Sequence, residues 1–161
     1  MSQGEIRCVL VPVTGGELLL PNASVAEVTG YSEPEPVAGA PAWMPGMLLW
    51  RGWQVPLTSF SALVGLTDSE SLDSARICYA KSLIGNERMP YFALLAQGFP
   101  RLTTVSRANL LETPQQQRPM AVAGSVIIDE QAAWIPDLDR LAHMIAHAAF
   151  GALPLSGRTA P

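Results

Sequence analysis

The chain has 161 residues, 48% of them apolar and 15% charged, which excludes intrinsic disorder over most of its length and suits one domain rather than two. Its net charge of −4 lacks the basic surplus by which a nucleic-acid binder is recognised. With 14 prolines and 13 glycines as punctuation, there is no room for the long helices of a bundle, and an all-β domain of short elements is expected.

Residues Glu5–Val13 are rich in apolar and β-branched side chains and read as a first strand. The Gly15-Gly16 turn leads to its hairpin partner, Glu17–Leu20, closed by Pro21-Asn22. A short strand is expected over Val25–Val28, followed by a proline-rich loop from Ser32 to Pro45 in which no helix survives. Met47–Trp50 and Trp53–Leu57 form a hairpin about Arg51-Gly52, and Phe60–Val64 reads as one helical turn stopped by Gly65. The polar stretch Thr67 to Ser74 separates the halves. Strands resume at Arg76–Ile84, Tyr91–Ala96 and Leu102–Ser106, with a turn at Gly85-Asn86. The glutamine-rich segment Glu112–Pro119 is expected to be a loop, and Ala121–Ile128 and Ala132–Ile135 a last hairpin about Asp129-Glu130. One convincing helix closes the pattern, Leu138–Phe150. Leu138, Leu141, Ala142, Ile145, Ala148 and Ala149 form its apolar stripe, Asp137 its N-cap and Gly151 its stop. One domain is expected over residues 1–154, with a loose tail from Leu155 to Pro161.

The chain resembles itself. At an offset of 78, Gly46 meets Gly124, Leu48 meets Val126, Trp50 meets Ile128, Leu57 meets Ile135 and Phe60 meets Leu138. At an offset of 70, Cys8-Val9 meets Cys78-Tyr79. Two similar small barrels packed together explain this better than one sandwich. The two cysteines lack the CxxC spacing of a metal or redox site and read as buried, reduced thiols of a cytoplasmic protein. No apolar run is long enough to insert into a bilayer, and the first residues have neither the basic nor the apolar region of a signal peptide.

Leu20-Pro-Asn-Ala-Ser-Val-Ala-Glu-Val, followed by Gly39-Ala-Pro-Ala-Trp-Met-Pro-Gly-Met-Leu-Leu-Trp-Arg-Gly-Trp-Gln-Val-Pro-Leu, resembles the CheW-like domain of bacterial chemotaxis coupling proteins. Ala123-Gly124-Ser125-Val126 and Ile135-Pro136-Asp137-Leu138-Asp139-Arg140-Leu141 extend the likeness, which covers roughly residues 5 to 147. The resemblance implies two small five-stranded SH3-like β-barrels in a pseudo-twofold relation, with a C-terminal helix. It also implies an adaptor linking the cytoplasmic tips of chemoreceptors to the regulatory domain of a CheA-type histidine kinase. In character the chain is most similar to the ChpC type, which serves type IV pilus twitching motility. By the same resemblance the partner-binding patch comprises Val25, Glu27 and Gly46, with Arg51, Gly52 and Trp53 from the hairpin. Gly46→Asp is then expected to stay folded and lose kinase binding. Glu27 and Arg51 are implied neighbours, either a structural ion pair or part of the patch, and a charge swap is expected to restore a structural pair. The family's hairpin begins with Asn and runs on into Asp-Leu; here Leu49 and Ser59-Phe60 stand instead, with Ser59 able to cap a helical turn.

Chemistry is sparse. His143 and His147 have the spacing of a two-histidine metal site, but Met-Ile-Ala between them lacks the glutamate of a zincin, and both fall opposite the helix's apolar stripe. There is no Gly-x-Ser-x-Gly elbow and no phosphate loop. The reading is therefore a non-enzymatic adaptor without metal or cofactor, the alternatives being a stand-alone barrel that binds protein or ligand and, behind it, a hydrolase. The Trp50-Arg51-Gly52-Trp53 tip carries the strongest hint of an interface, because Trp and Arg dominate binding hot spots. The sequence leaves Trp50 open between core and interface and favours Trp53 for contact.

Overall fold

The computed structural model describes residues 4–113 and 120–151; the expected tail from Leu155 lies outside them. Among the described residues, eleven strands and two α-helices are ordered β1 Ile6–Val13, β2 Gly16–Pro21, β3 Val25–Gly30, β4 Gly46–Trp50, β5 Trp53–Thr58, α1 Phe60–Leu63, β6 Arg76–Lys81, β7 Tyr91–Ala96, β8 Arg101–Val105, β9 Leu110–Thr113, β10 Val122–Ile128, β11 Gln131–Pro136 and α2 Leu138–Phe150, with one 3-10 turn at Asn22–Ser24 between β2 and β3. They form two curled sheets, a six-stranded one in the order β8-β1-β2-β11-β10-β9 and a five-stranded one in the order β3-β6-β7-β5-β4. The N-terminal hairpin thus belongs to the sheet built from the C-terminal strands, and the two halves of the chain are intertwined.

The first strand shows why the sequence folds this way. Its apolar residues run on without polar alternation because both its faces are covered. Cys8 and Leu10 point into the six-stranded barrel with Leu19, Val126 and Ile128, while Val9, Val11 and Val13 join the central cluster between the sheets. β6 divides in the same way, with Ile77 and Tyr79 in the five-stranded barrel and Cys78 and Ala80 in the centre. Onto that centre α2 lays Leu141, Ala142, Ile145 and Ala146. The expected stripe was displaced at its end: Ala146 is buried, and Ala148 and Ala149 are only half-buried. His143 and His147 are exposed, as the helical period required.

The 78-residue repeat is exact in the second half of each unit. β5 and β11, the starts of α1 and α2, and the caps Ser59 and Asp137 all coincide at that offset. Each cap accepts from the backbone N–H three residues on, Ala62 and Arg140. The offset of 70 does not hold. Cys8 faces a barrel interior and Cys78 the central cluster, so the two are not equivalent. A slip of one residue exchanges the faces of a strand, and 69 restores them.

Two further expectations are corrected. β6 ends at Lys81 rather than Ile84, where the chain turns away before β7. The polar segment from Glu112 begins as strand: β9 pairs Leu110 with Ile128 and Thr113 with Ser125, which makes the sheet six-stranded rather than five. The interstrand ladder satisfies backbone groups whatever the side chains, so a polar edge strand leaves little trace in hydropathy. The separator between the halves is also fastened. Glu70 accepts hydrogen bonds from the hydroxyls of Thr14 (2.6 Å) and Ser59 (2.5 Å) and from the Gln97 amide (3.0 Å). Ser59 therefore caps α1 through its oxygen while its hydroxyl donates to Glu70.

Burial pushes the Cys78 thiol up from 9.0 to about 11. Below pH 9 it is neutral in the folded and the unfolded chain alike. Above that, only the unfolded thiol ionises, so stability should fall as pH rises from about 9 to 11, by about 1.4 kcal/mol per pH unit. Urea denaturation across this range should show the fall, and Cys78→Ala should reduce it; Cys8, also raised by burial, contributes over the same range, and Tyr79 only above its ordinary value of 10.0.

Candidate partner-binding surface

The β4–β5 hairpin turns through Arg51 (φ 51°) and Gly52 (φ 80°), both left-handed, as the tightest hairpins require. Asp129 (φ 48°) and Glu130 (φ 69°) make the equivalent turn in the other barrel, without a glycine. Glycine at 52 relieves one of the two strained positions, and a Cβ there would meet open space.

Trp50 is settled by the structure as core. It is 8% exposed, lies parallel to Tyr79 with ring centroids 4.2 Å apart, and meets Tyr91 edge-on at 4.9 Å. Its indole N–H donates to Glu27 Oε1 at 3.2 Å, and the Arg51 guanidinium lies over its ring at 4.4 Å. Arg51 Nη2 reaches the same Glu27 oxygen at 2.9 Å. One carboxylate on β3 thus receives two donors from the end of β4 and fastens the hairpin across the barrel mouth. Burial, with Glu27 nearby, pushes the Tyr79 phenol above its ordinary value, and a hydrogen bond with Thr29 works the other way. Trp53, paired with Trp50 across the turn, is 41% exposed, and Leu49, on the opposite face of the ladder, is 72% exposed.

The implied patch is therefore only partly one place. Glu27, Arg51, Gly52 and Trp53 gather at the hairpin tip. Val25 is half-buried and packs against the central cluster. Gly46 is buried at the far end of β4, about 13 Å from the tip at the usual strand rise. A Cβ at Gly46 would lie 2.2 Å from the Glu35 carbonyl oxygen, so the expectation that Gly46→Asp stays folded is not sustained. Sequence reasoning missed Tyr79 and Tyr91 as the floor of this site. Their signal was the alternation of β6 and β7, which by itself names no partner.

The Glu27–Arg51 pair is partly exposed, at 40% and 56%, and such a pair stabilises by about 0–1 kcal/mol. The acceptor that Glu27 offers the Trp50 N–H matters more, since an orphaned donor costs about 1–3 kcal/mol. Glu27→Ala should lose more stability than Arg51→Ala, and Glu27→Gln should retain most of it. The exchange Glu27→Arg with Arg51→Glu should fail to rescue, because position 27 would then set a donor against a donor. A double-mutant cycle by urea denaturation checks this; full rescue by the exchange would show that charge alone holds the hairpin.

Elsewhere, His143 and His147 form a ridge between two open depressions of about 620 and 580 Å³, with Arg88 on one side and Arg140 on the other. Among the described residues no group of three or more His, Cys, Asp or Glu side chains is placed to hold a metal ion. Nor is any described helix long and apolar enough to cross a membrane.

No protein of curated function matches the sequence. Among solved structures, the fold is similar to the crystal structure of the scaffolding protein TtCheW from Thermoanaerobacter tengcongensis, with a TM-score of 0.70 and 15% identity over 86% of this chain and 87% of that one. The family model for the CheW-like domain matches residues 7–146. With that match spanning nearly all of both intertwined barrels, the chain belongs to the CheW-like domain family, a family of non-enzymatic scaffolding proteins in chemotaxis.

Proposed function

We propose that this protein is a cytoplasmic adaptor of a bacterial chemosensory system, coupling the cytoplasmic tips of chemoreceptors to the regulatory domain of a CheA-type histidine kinase. The observation that carries the reading is the hairpin tip. Trp53 stands exposed beside a stacked and hydrogen-bonded base of Tyr79, Trp50, Arg51 and Glu27, so an aromatic anchor is presented on a rigid support. Preorganisation of that kind lowers the entropic cost of binding, and aromatic residues with Arg are the side chains that concentrate interface energy. The equivalent turn of the other barrel carries Asp129, Glu130 and Gln131, an ordinary solvated tip. Within the patch, Arg51, Gly52 and Trp53 make the contact and Glu27 positions them. Val25 and Gly46 support the strands from behind.

Titration of the kinase regulatory domain into this protein, followed by calorimetry, tests the reading. Trp53→Ala should weaken binding about tenfold or more while leaving the thermal midpoint nearly unchanged, as expected for a partly exposed hot spot. Failure to bind either the kinase domain or a receptor tip would leave a stand-alone binding barrel as the function.

A further inference from the structure

The two barrels differ at one edge, and the difference leaves a vacancy. In the six-stranded sheet, the outer edge of β10 is covered by β9: Ser125 faces Thr113, Ile127 faces Leu111, and the Asp129 N–H donates to the Asn109 carbonyl. At the 78-residue offset these positions are Met47, Leu49 and Arg51. Met47 is covered, since it exchanges two 2.8 Å backbone hydrogen bonds with Glu35. The covering stops there. The chain from the end of β8 to Thr113 has room for a strand, whereas only four residues separate Gly30 from Glu35, and Pro34 and Pro36 flank that one bridge. Backbone groups alternate in direction along an antiparallel strand, so the N–H and C=O of Leu49 point the same way as those of Met47, away from β5. Among the described residues they meet no partner, and neither does the Arg51 N–H.

Resting on the adaptor reading, we infer that the edge of β4 at Leu49 and Arg51 receives an extended strand of the kinase regulatory domain. That strand runs antiparallel to β4, with an apolar side chain beside Leu49. The chain itself supplies the template, because Leu110-Leu111-Glu112 occupies the same rungs of the other barrel and sets Leu111 beside Ile127. The free edge is continuous with the hairpin tip through Arg51, and Leu49 stands 72% exposed on the face of the ladder opposite to Trp50 and Trp53. Backbone bonds along the edge would give affinity and register, and Trp53 and Leu49 would give selectivity, the usual division in strand addition.

Hydrogen exchange on the unmodified protein, read amide by amide with and without the purified kinase regulatory domain, tests this. In the free protein the Leu49 amide should exchange rapidly and those of Leu48 and Trp50 slowly; in the complex Leu49 and Arg51 should slow by about tenfold or more. Leu49→Pro removes the outward N–H and spares the ladder to β5, so it should weaken binding about tenfold, the equivalent of an interface hydrogen bond or two. Binding with the Leu49 amide still exposed would overturn the strand but keep the adaptor; no binding at all would overturn both. Concentration-dependent protection of Leu49 in the protein alone would assign the edge to a second copy and overturn the inference too.

Discussion

Gly46→Ala should cost about 3 kcal/mol or more, and Gly46→Asp should abolish cooperative unfolding. The added Cβ would stand 2.2 Å from the Glu35 carbonyl oxygen, 2.6 Å from its carbon and 3.1 Å from the Pro34 Cβ. Two of these three atoms are backbone, and the backbone of Glu35 is fixed by both of its 2.8 Å bonds to Met47. Relief therefore means breaking that bridge, at about 1 kcal/mol per hydrogen bond, on top of an overpacking cost of about 1–3 kcal/mol. Aspartate adds a buried charge without a partner. Gly124, the equivalent residue in the other barrel, is an internal control: its Cβ would meet only the Ile135 Cδ1, at 4.0 Å, and Gly124→Ala should be far milder. Urea denaturation of the three variants measures the contrast. A Gly46→Asp protein that unfolds like the parent and has lost only its kinase binding would return Gly46 to the contact surface.

Trp50→Ala should lower stability by about 3–5 kcal/mol, the cost of deleting a large buried aromatic side chain. It removes the stack on Tyr79, the edge contact with Tyr91, the surface under Arg51 and the donor to Glu27 at once. Trp50→Phe keeps a ring against Tyr79 and deletes the N–H, so it should fall in between. Trp53→Ala, at the other side of the same turn, should change stability little and binding strongly. If Trp50→Ala unfolds at the parent's urea midpoint while binding is lost, Trp50 belongs to the interface instead. If both tryptophan variants lose stability equally, the tip is core on both sides and presents no anchor.

What the sequence determined by itself was what depends on local pattern. The hairpins followed from apolar runs interrupted by turn residues, α2 from its 3.6-residue period between Asp137 and Gly151, and the duplication from a 78-residue offset that reproduces β5 and both helix caps. The family motifs brought Glu27 to Arg51, and the structure joins them at 2.9 Å. Tertiary structure alone decided the rest, because burial of a strand face depends on which sheet packs against it. Alternation could say that Trp50 and Trp53 differ from their neighbours, but not that Tyr79 from β6 would lie beneath the first and leave the second in solvent. Glu70 sat in a polar stretch with no pattern, and its three donors come from Thr14, Ser59 and Gln97, as far as 56 residues away. Gly46, a contact residue by the resemblance, lies where Glu35 closes on β4, and a missing side chain in the sequence does not say what fills its space. The six-to-five strand asymmetry between barrels arises because seven residues lie between Val105 and Thr113 and lay down β9, whereas only four lie between Gly30 and Glu35 on the matching rung, a matter of where each connection meets its edge that only the folded topology defines.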